Sequence, residues 1–276
     1  MGEMLSEMFS APILVRALIV GILVSLCAAL LGVSLVLKRY SMIGDGLSHV
    51  GFGALAVAAV MNLAPMAVAI PVVIAAAFLL LRLSSNSKIK GDSAIALIST
   101  GALAIGVMAV SASHGVNIDL NSYLFGSIVS VSGGDVVISV ILACAVLLMF
   151  VFFYTKIFAI TFDESFAKAT GINVNLYNML IAMLTAVTIV IGMRLMGSML
   201  ISSLIIFPAL SSMRVFKSFK SVTLCSAAVS VITFVVGMII SYAADTPCGA
   251  SIVCVNIAAF AGFFIAGAVL SRSKKS

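Results

Sequence analysis

The chain consists of long apolar runs separated by short breaks that carry Gly, Pro or charged residues. A helix crosses the roughly 30 Å hydrocarbon core of a bilayer with about 20 apolar residues, and most of the runs have about this length. Strands of a membrane barrel would instead alternate with period two over about ten residues. The pattern therefore predicts an all-α, polytopic transmembrane helical bundle of eight to nine spans. We count nine, at about 12–37, 42–62, 65–83, 92–112, 135–155, 174–194, 197–215, 221–243 and 249–270.

The composition agrees with a chain that is surrounded mostly by lipid. Hydrophobic residues make up 63% of the sequence and charged residues only 9%, whereas a soluble domain has about 25% charged residues. No break is long enough for a second folded unit, so we expect residues 1–276 to form one transmembrane domain. The net charge of +6 does not indicate nucleic acid, because the basic residues lie in the breaks between apolar runs.

The distribution of these basic residues predicts the orientation. If the N-terminus is outside and successive loops alternate, thirteen of the fifteen Lys and Arg residues fall on the cytoplasmic side. Only Arg16 and Arg194 then lie on the other side. This segregation is what the positive-inside rule expects. We therefore predict an outer N-terminus and a cytoplasmic C-terminus.

Two ionisable residues occur at the start of the second span. Asp45 and His49 are four residues apart, so they share one helix face. An ionisable group near the centre of a span costs about 2.5–3.5 kcal/mol on insertion scales and usually faces the bundle interior. A carboxylate and an imidazole form half of a transition-metal site. Two plainer interpretations stay open: Asp45 interacts with the helix dipole at the interface, and His49 donates one hydrogen bond to a neighbouring helix.

A second polar segment lies between the fifth and sixth spans, on the predicted cytoplasmic side. Residues 162–171 read as a short amphipathic helix with Phe162, Phe166 and Ala169 on one face and Gly171 at its end. A helix resting on lipid headgroups is usually rich in Lys and Arg, whereas this one carries Asp163 and Glu164. The pattern favours docking to a cytoplasmic partner over an interfacial helix.

The remaining motifs are weaker or absent. Gly91 and Asp92 read as a helix start. His114, with Asp119 five residues later, reads as a solvated loop residue, and a pathway entrance is the alternative. The sequence has no G-x-x-x-x-G-K-[ST] phosphate loop, so the chain does not bind ATP by that route. It has neither H-E-x-x-H nor G-x-S-x-G, which excludes two common hydrolytic sites. We therefore do not expect an enzyme.

In their order and spacing these features resemble the membrane permeases of bacterial ABC importers for zinc, manganese or iron. The likeness covers nearly the whole chain, although Gly51-Phe52-Gly53 stands where relatives often have an Ala-Leu-Pro-Gly-like stretch. The matching motifs are Leu31-Gly32-Val33, Leu37-Lys38-Arg39, residues 43–50, Gly91-Asp92-Ser93-Ala94-Ile95, Tyr123-Leu124-Phe125-Gly126-Ser127, residues 163–171, residues 197–209 and Thr246-Pro247-Cys248-Gly249-Ala250.

The resemblance implies a type II importer in the bacterial cytoplasmic membrane. Its expected partners are a second copy of the chain, two cytoplasmic ATPase subunits and an extracytoplasmic metal-binding protein. Asp45 and His49 would contact the transported ion, and no permanently bound cofactor is expected. The segment at about 157–171 would be the coupling helix, with Asp163, Glu164, Ala167 and Gly171 as its coupling residues. His plus carboxylate suits zinc, manganese and iron, of which we favour zinc and then manganese.

Two other classes of function remain open at this stage. A secondary transporter would use Asp45 and His49 as a proton or cation relay, and its uptake would depend on the membrane potential. A non-transport scaffold or a membrane enzyme is the third class. Co-purification with an ATPase subunit separates the three classes.

Overall fold

The computed structural model describes residues 12–86, 91–113, 126 and 133–273. Within that part of the chain all regular structure is α-helical, and nine of the helices are long and apolar enough to cross a membrane. This confirms the polytopic all-α prediction. The helices are α1 (Pro12–Leu37), α2 (Ile43–Val60), α3 (Pro65–Asn86), α4 (Gly91–Ala112), α5 (Gly133–Phe152), α6 (Tyr154–Phe162), α7 (Glu164–Ala169), α8 (Val174–Met196), α9 (Ser198–Val215), α10 (Phe219–Ala244) and α11 (Cys248–Ser273).

Two helices form the inside of the bundle. Helix α1 packs against α5, α8, α9 and α10, and α2 packs against α3, α4, α8 and α9. In the most apolar stretches of α1 and α2, 72% of the residues are buried, compared with 17% in α4 and 11% in α11. The outer faces of α4 and α11 are therefore left to lipid or to another chain.

Glycines bring α2 and α4 into close contact. A Cβ atom built on Gly53 would overlap the backbone carbonyl oxygen of Ala102, and one built on Gly106 would meet the Cα of Gly53. Small residues at helix crossings permit this kind of backbone approach in membranes. Gly53 and Gly106 therefore let the backbones of α2 and α4 approach each other directly.

Gly53→Leu is expected to force α2 away from α4 and to lower the stability of the permease by about 1–3 kcal/mol, the usual cost of overpacking. The measurement is the thermal midpoint in detergent, followed with a thiol-reactive fluorophore as the buried Cys27 becomes accessible. Gly101→Leu is the matched control, because a Cβ atom at Gly101 meets no atom within 4 Å. An equal loss of stability in both variants would contradict the packing argument.

Two ion pairs mark opposite ends of α8. Near its start, Lys38 Nζ lies 2.6 Å from Asn178 Oδ1 and 2.8 Å from Glu164 Oε1. Near its end, Arg194 Nη1 lies 3.0 Å from Asp135 Oδ1. Asn178 and Arg194 are about 24 Å apart along the helix axis at 1.5 Å per residue. Lys38 and Glu164 therefore share one end of the bundle and Arg194 lies at the other, as the alternating-loop assignment requires.

Candidate functional site

Asp45 and His49 lie in the first two turns of α2 and face each other along the helix. His49 Nε2 is 3.7 Å from Asp45 Oδ2, which is too far for a hydrogen bond. The side chain of Asp45 is 44% exposed and that of His49 is 29% exposed. Both groups therefore open onto the surface of the single chain and are not sealed inside the bundle.

Close packing on two sides holds this turn of α2 in place. Gly44 lies against Ser202 of α9, and Gly46 lies against Ile95 of α4. Both glycines are buried, whereas Asp45 between them is partly exposed. Gly44 and Gly46 thus allow α2 to pack between α9 and α4, while the carboxylate of Asp45 remains partly exposed.

The pair has the chemistry of an incomplete metal site. Two ligands at about 2.1 Å from a tetrahedral ion are separated by about 3.4 Å, close to the observed Asp45–His49 distance. In the described ranges, no group of three or more His, Cys, Asp or Glu residues is placed to hold a metal ion. The described residues therefore offer two candidate ligands here, and any further ligands must come from water, another part of the chain or another chain.

The segment after α5 consists of two short helices with a break at Asp163. The backbone of Asp163 is extended, and its Oδ1 accepts hydrogen bonds from the amides of Ser165 and Phe166, each at 2.9 Å. This carboxylate is the N-cap of α7, a role that Asp favours. Gly171 adopts φ +83° just beyond the helix end, as predicted for its terminator. The expectation of one continuous helix over 157–171 is wrong, because the cap at Asp163 starts a new one.

The break also changes which face of α7 packs against the bundle. Ala167 is fully buried with Ile160, Val174 and Tyr177. Phe162 and Phe166 are 57% and 61% exposed, and Ala169 is exposed as well. The apolar residues that the sequence placed on one face are therefore largely exposed and available to a partner, although one side of the Phe162 ring contacts Phe158 and Phe219.

Sequence reasoning missed the group that holds α7 to the transmembrane helices. Lys38, directly after α1, donates to Glu164 of α7 and to Asn178 of α8, and Asn178 Nδ2 donates to Glu164 Oε1 at 3.0 Å. The only available signal was a Lys at the end of an apolar run. Nothing in the sequence pointed to Asn178.

The electrostatics of this group favour the ionised form of Glu164. Burial lowers the pKa of Lys38, while its hydrogen bond and charge interaction with Glu164 act in the opposite direction. Burial acts to raise the pKa of Glu164, but hydrogen bonds from Lys38 and Asn178, with the charges of Lys38 and Lys168, lower it on balance. Glu164 is therefore ionised at neutral pH and remains paired with Lys38.

Other motifs from the sequence fall in different places. His114, Asp119, the stretch 123–125 and Ser127 lie outside the described residues, as does the side chain of Asp92. Gly126 is described: it has φ +78°, and a Cβ atom there would overlap the backbone at Met196 and Gly197. The requirement for glycine at this position therefore comes from close contact with the loop between α8 and α9.

Known proteins with the same pattern are membrane transport proteins. A family model described as the ABC 3 transport family matches residues 10–267. The chain is 30% identical over 241 residues to the high-affinity zinc uptake system membrane protein ZnuB of Haemophilus influenzae, covering 87% of this chain and 92% of that protein. It is also 30% identical over 265 residues to the manganese import system permease protein ScaB of Streptococcus gordonii, covering 96% and 95%.

A solved structure shows the same fold. PsaBC from Streptococcus pneumoniae, determined in complex with Fab, matches with a TM-score of 0.83 and 30% sequence identity, over 95% of both chains. The similarity therefore extends along nearly the entire length of the chain and is not confined to single motifs.

Proposed function

The chain belongs to the ABC 3 transport family, and we propose that it is the permease subunit of an ATP-driven importer that moves a divalent transition-metal ion across the bacterial cytoplasmic membrane. The observation that carries the choice of cargo is the Asp45–His49 pair on α2, with its 3.7 Å separation and partial exposure. A hard carboxylate oxygen beside a borderline imidazole nitrogen suits Zn²⁺, Mn²⁺ and Fe²⁺.

Weak coordination suits transport better than storage. Conduction requires a site that is favourable enough for an ion to enter and weak enough for it to leave. Two protein ligands with exchangeable water or a partner's groups meet that requirement. Asp45 supplies negative charge and His49 supplies a directional lone pair. Both bind the ion only transiently as it passes.

The proposed partners are those that the family relationship implies. A second copy of the chain would complete the path at Asp45, and an extracytoplasmic metal-binding protein would deliver the ion. ATP hydrolysis belongs to two separate cytoplasmic subunits, since this chain carries no phosphate loop. The exposed Phe162 and Phe166 beside Asp163 would dock the ATPase, with the N-terminus outside and α7 on the cytoplasmic side.

Zinc is the favoured cargo, followed by manganese. Relatives named for zinc uptake and for manganese import are equally similar to the chain, at 30% identity each. The choice of zinc rests on ligand chemistry, because an imidazole nitrogen suits zinc, whereas manganese is better suited by oxygen ligands alone. A secondary transporter is not supported, because the chain belongs to the ABC 3 transport family.

The test is metal uptake into proteoliposomes that contain the permease, its ATPase subunits and the metal-loaded binding protein. We expect Zn²⁺ uptake only with ATP on the ATPase side, and we expect it to persist when an ionophore collapses the membrane potential. Uptake without ATP that stops on collapse of the potential would instead identify a secondary transporter. A complex with ATP and loaded binding protein that accumulates none of Zn²⁺, Mn²⁺ or Fe²⁺ would rule out the proposed function.

A further inference from the structure

Lys38 is almost completely buried at the junction of three elements. Its side chain is 10% exposed, and its ammonium group contacts Glu164 of α7 and Asn178 of α8. Only the Lys38 side of the pair is buried, because the Glu164 side chain is 46% exposed. Separation costs the exposed carboxylate little, but it leaves the buried ammonium group without its opposite charge. Movement of Glu164 therefore costs least when Lys38 moves with it.

The backbone joins Lys38 closely to α2, the helix that carries Asp45 and His49. The amide of Tyr40 donates to the carbonyl oxygen of Leu35 at 2.8 Å, and the amide of Ile43 donates to that of Tyr40 at 3.1 Å. Arg39 holds φ 63° in this turn. The connection between α1 and α2 is thus a short hydrogen-bonded turn. Asp45 follows only seven residues after Lys38.

The structure also leaves room for this group to move. A cavity of about 670 Å³ lies beside it, lined by Lys38, Glu164 and Asn178, by the cations Arg82 and Lys168, and by apolar residues that include Phe78. In a close-packed interior a second arrangement of side chains needs free space. The cavity provides that space at the point where α1, α3, α7 and α8 meet.

We propose that Lys38 is a positioning residue that transmits movement of α7 to α2, so that the Asp45–His49 pair changes its accessibility when the ATPase moves the coupling segment. The inference rests on the proposed function of the chain as an ABC permease. Lys38 contacts neither the ion nor the ATPase in this role. It acts through Glu164 and Asn178 on one side and through the α1–α2 turn on the other.

The experiment measures metal transported per ATP hydrolysed by the complete transporter in proteoliposomes, with saturating metal-loaded binding protein. Lys38→Met removes the charge, and Asn178→Leu removes the amide while keeping similar volume. We expect each variant to lower the ratio at least about fivefold, the lower end of the usual coupling range. ATP hydrolysis is expected to fall by less than uptake. Lys38→Arg, which keeps the charge, is expected to retain a higher ratio than Lys38→Met.

Controls separate this role from a purely structural one. Lys220→Met removes an exposed cation in the first turn of α10, on the same end of the bundle, and is expected to keep the wild-type ratio. If the ratio of metal transported to ATP hydrolysed is unchanged in Lys38→Met, including the case in which both rates fall by the same factor, the inference is wrong. An equally low ratio in Lys38→Arg would also overturn it.

Failure of assembly, failure of wild-type transport and an unchanged ratio lead to three different conclusions. If Lys38→Met does not assemble, Asn178→Leu decides alone, because it leaves the Lys38–Glu164 pair in place and removes only its link to α8. If the wild-type complex transports no metal with ATP, the proposed function fails first. If the wild type transports and both variants keep its ratio, only the role of Lys38 is refuted.

Discussion

Asp45→Asn and His49→Ala are each expected to reduce metal uptake by the assembled transporter at least about 10-fold. Loss of a residue that only supports a metal ligand already lowers metal affinity or activity about 10- to 100-fold, and these two residues are proposed to bind the ion directly. The chain offers these two ligands side by side, 3.7 Å apart. Removing either leaves a single protein ligand on this helix. Uptake of radioactive Zn²⁺ into proteoliposomes, corrected for the amount of assembled complex, is the measurement.

The double variant sharpens this prediction. Because both side chains are proposed to contact one ion, their effects are expected to be strongly non-additive, with the double variant little worse than the more damaged single variant. Two independent structural roles would give additive losses instead. Thermal midpoints of all variants are expected to match the wild type within experimental error, because both side chains are partly exposed.

The matched control is Asp245→Asn, at the end of α10. Asp245 is an exposed C-cap residue with φ 50°, a conformation that Asn also adopts readily. The change removes one carboxylate from the chain without altering α2, and it is expected to leave uptake unchanged at saturating binding protein. Wild-type uptake by Asp45→Asn and His49→Ala would remove the proposed ion site and leave only the family relationship.

The transmembrane helices were predictable because the bilayer restricts the possible structures. Every backbone polar group in the hydrocarbon region must be paired internally, so a sufficiently long apolar run has essentially one regular solution. The run predicted at 65–83 became Pro65–Asn86, and the run at 174–194 became Val174–Met196. The helices continue beyond the predicted runs, through Ser84 to Asn86 in α3 and through Leu195 and Met196 in α8.

The contacts between helices were not predictable in the same way. Lys38 pairs with residues 126 and 140 positions away, and nothing in the local sequence specifies either partner. Periodicity also placed Phe162 and Phe166 on one face of a single helix. The extended backbone of Asp163 interrupts that helix, and Ala167 becomes the buried contact. A local signal existed, since an Asp followed by Glu often begins a helix.

Phe166→Asp is expected to prevent stable binding of the ATPase subunit, with a loss of about 2 kcal/mol or more, which corresponds to roughly 30-fold weaker affinity. The ring of Phe166 is 61% exposed on α7. Large exposed aromatic residues that fill a partner's pocket commonly dominate binding energy. The change places a charge there without touching the Asp163 cap or the buried Ala167. Co-purification of the ATPase with tagged permease, and titration of the purified subunits, measure the loss.

Phe216→Asp is the matched control for this change. Phe216 is 40% exposed in the loop between α9 and α10, at the same end of the bundle. The same change from Phe to Asp can therefore be tested outside α7. It is expected to retain the ATPase, and Phe166→Leu is expected to retain most of the affinity because it keeps an apolar side chain at the same position. Equal loss of the ATPase in Phe166→Asp and Phe216→Asp would show that added charge, and not the ring on α7, governs assembly. Full retention in Phe166→Asp would place the ATPase contact elsewhere on this face of the permease.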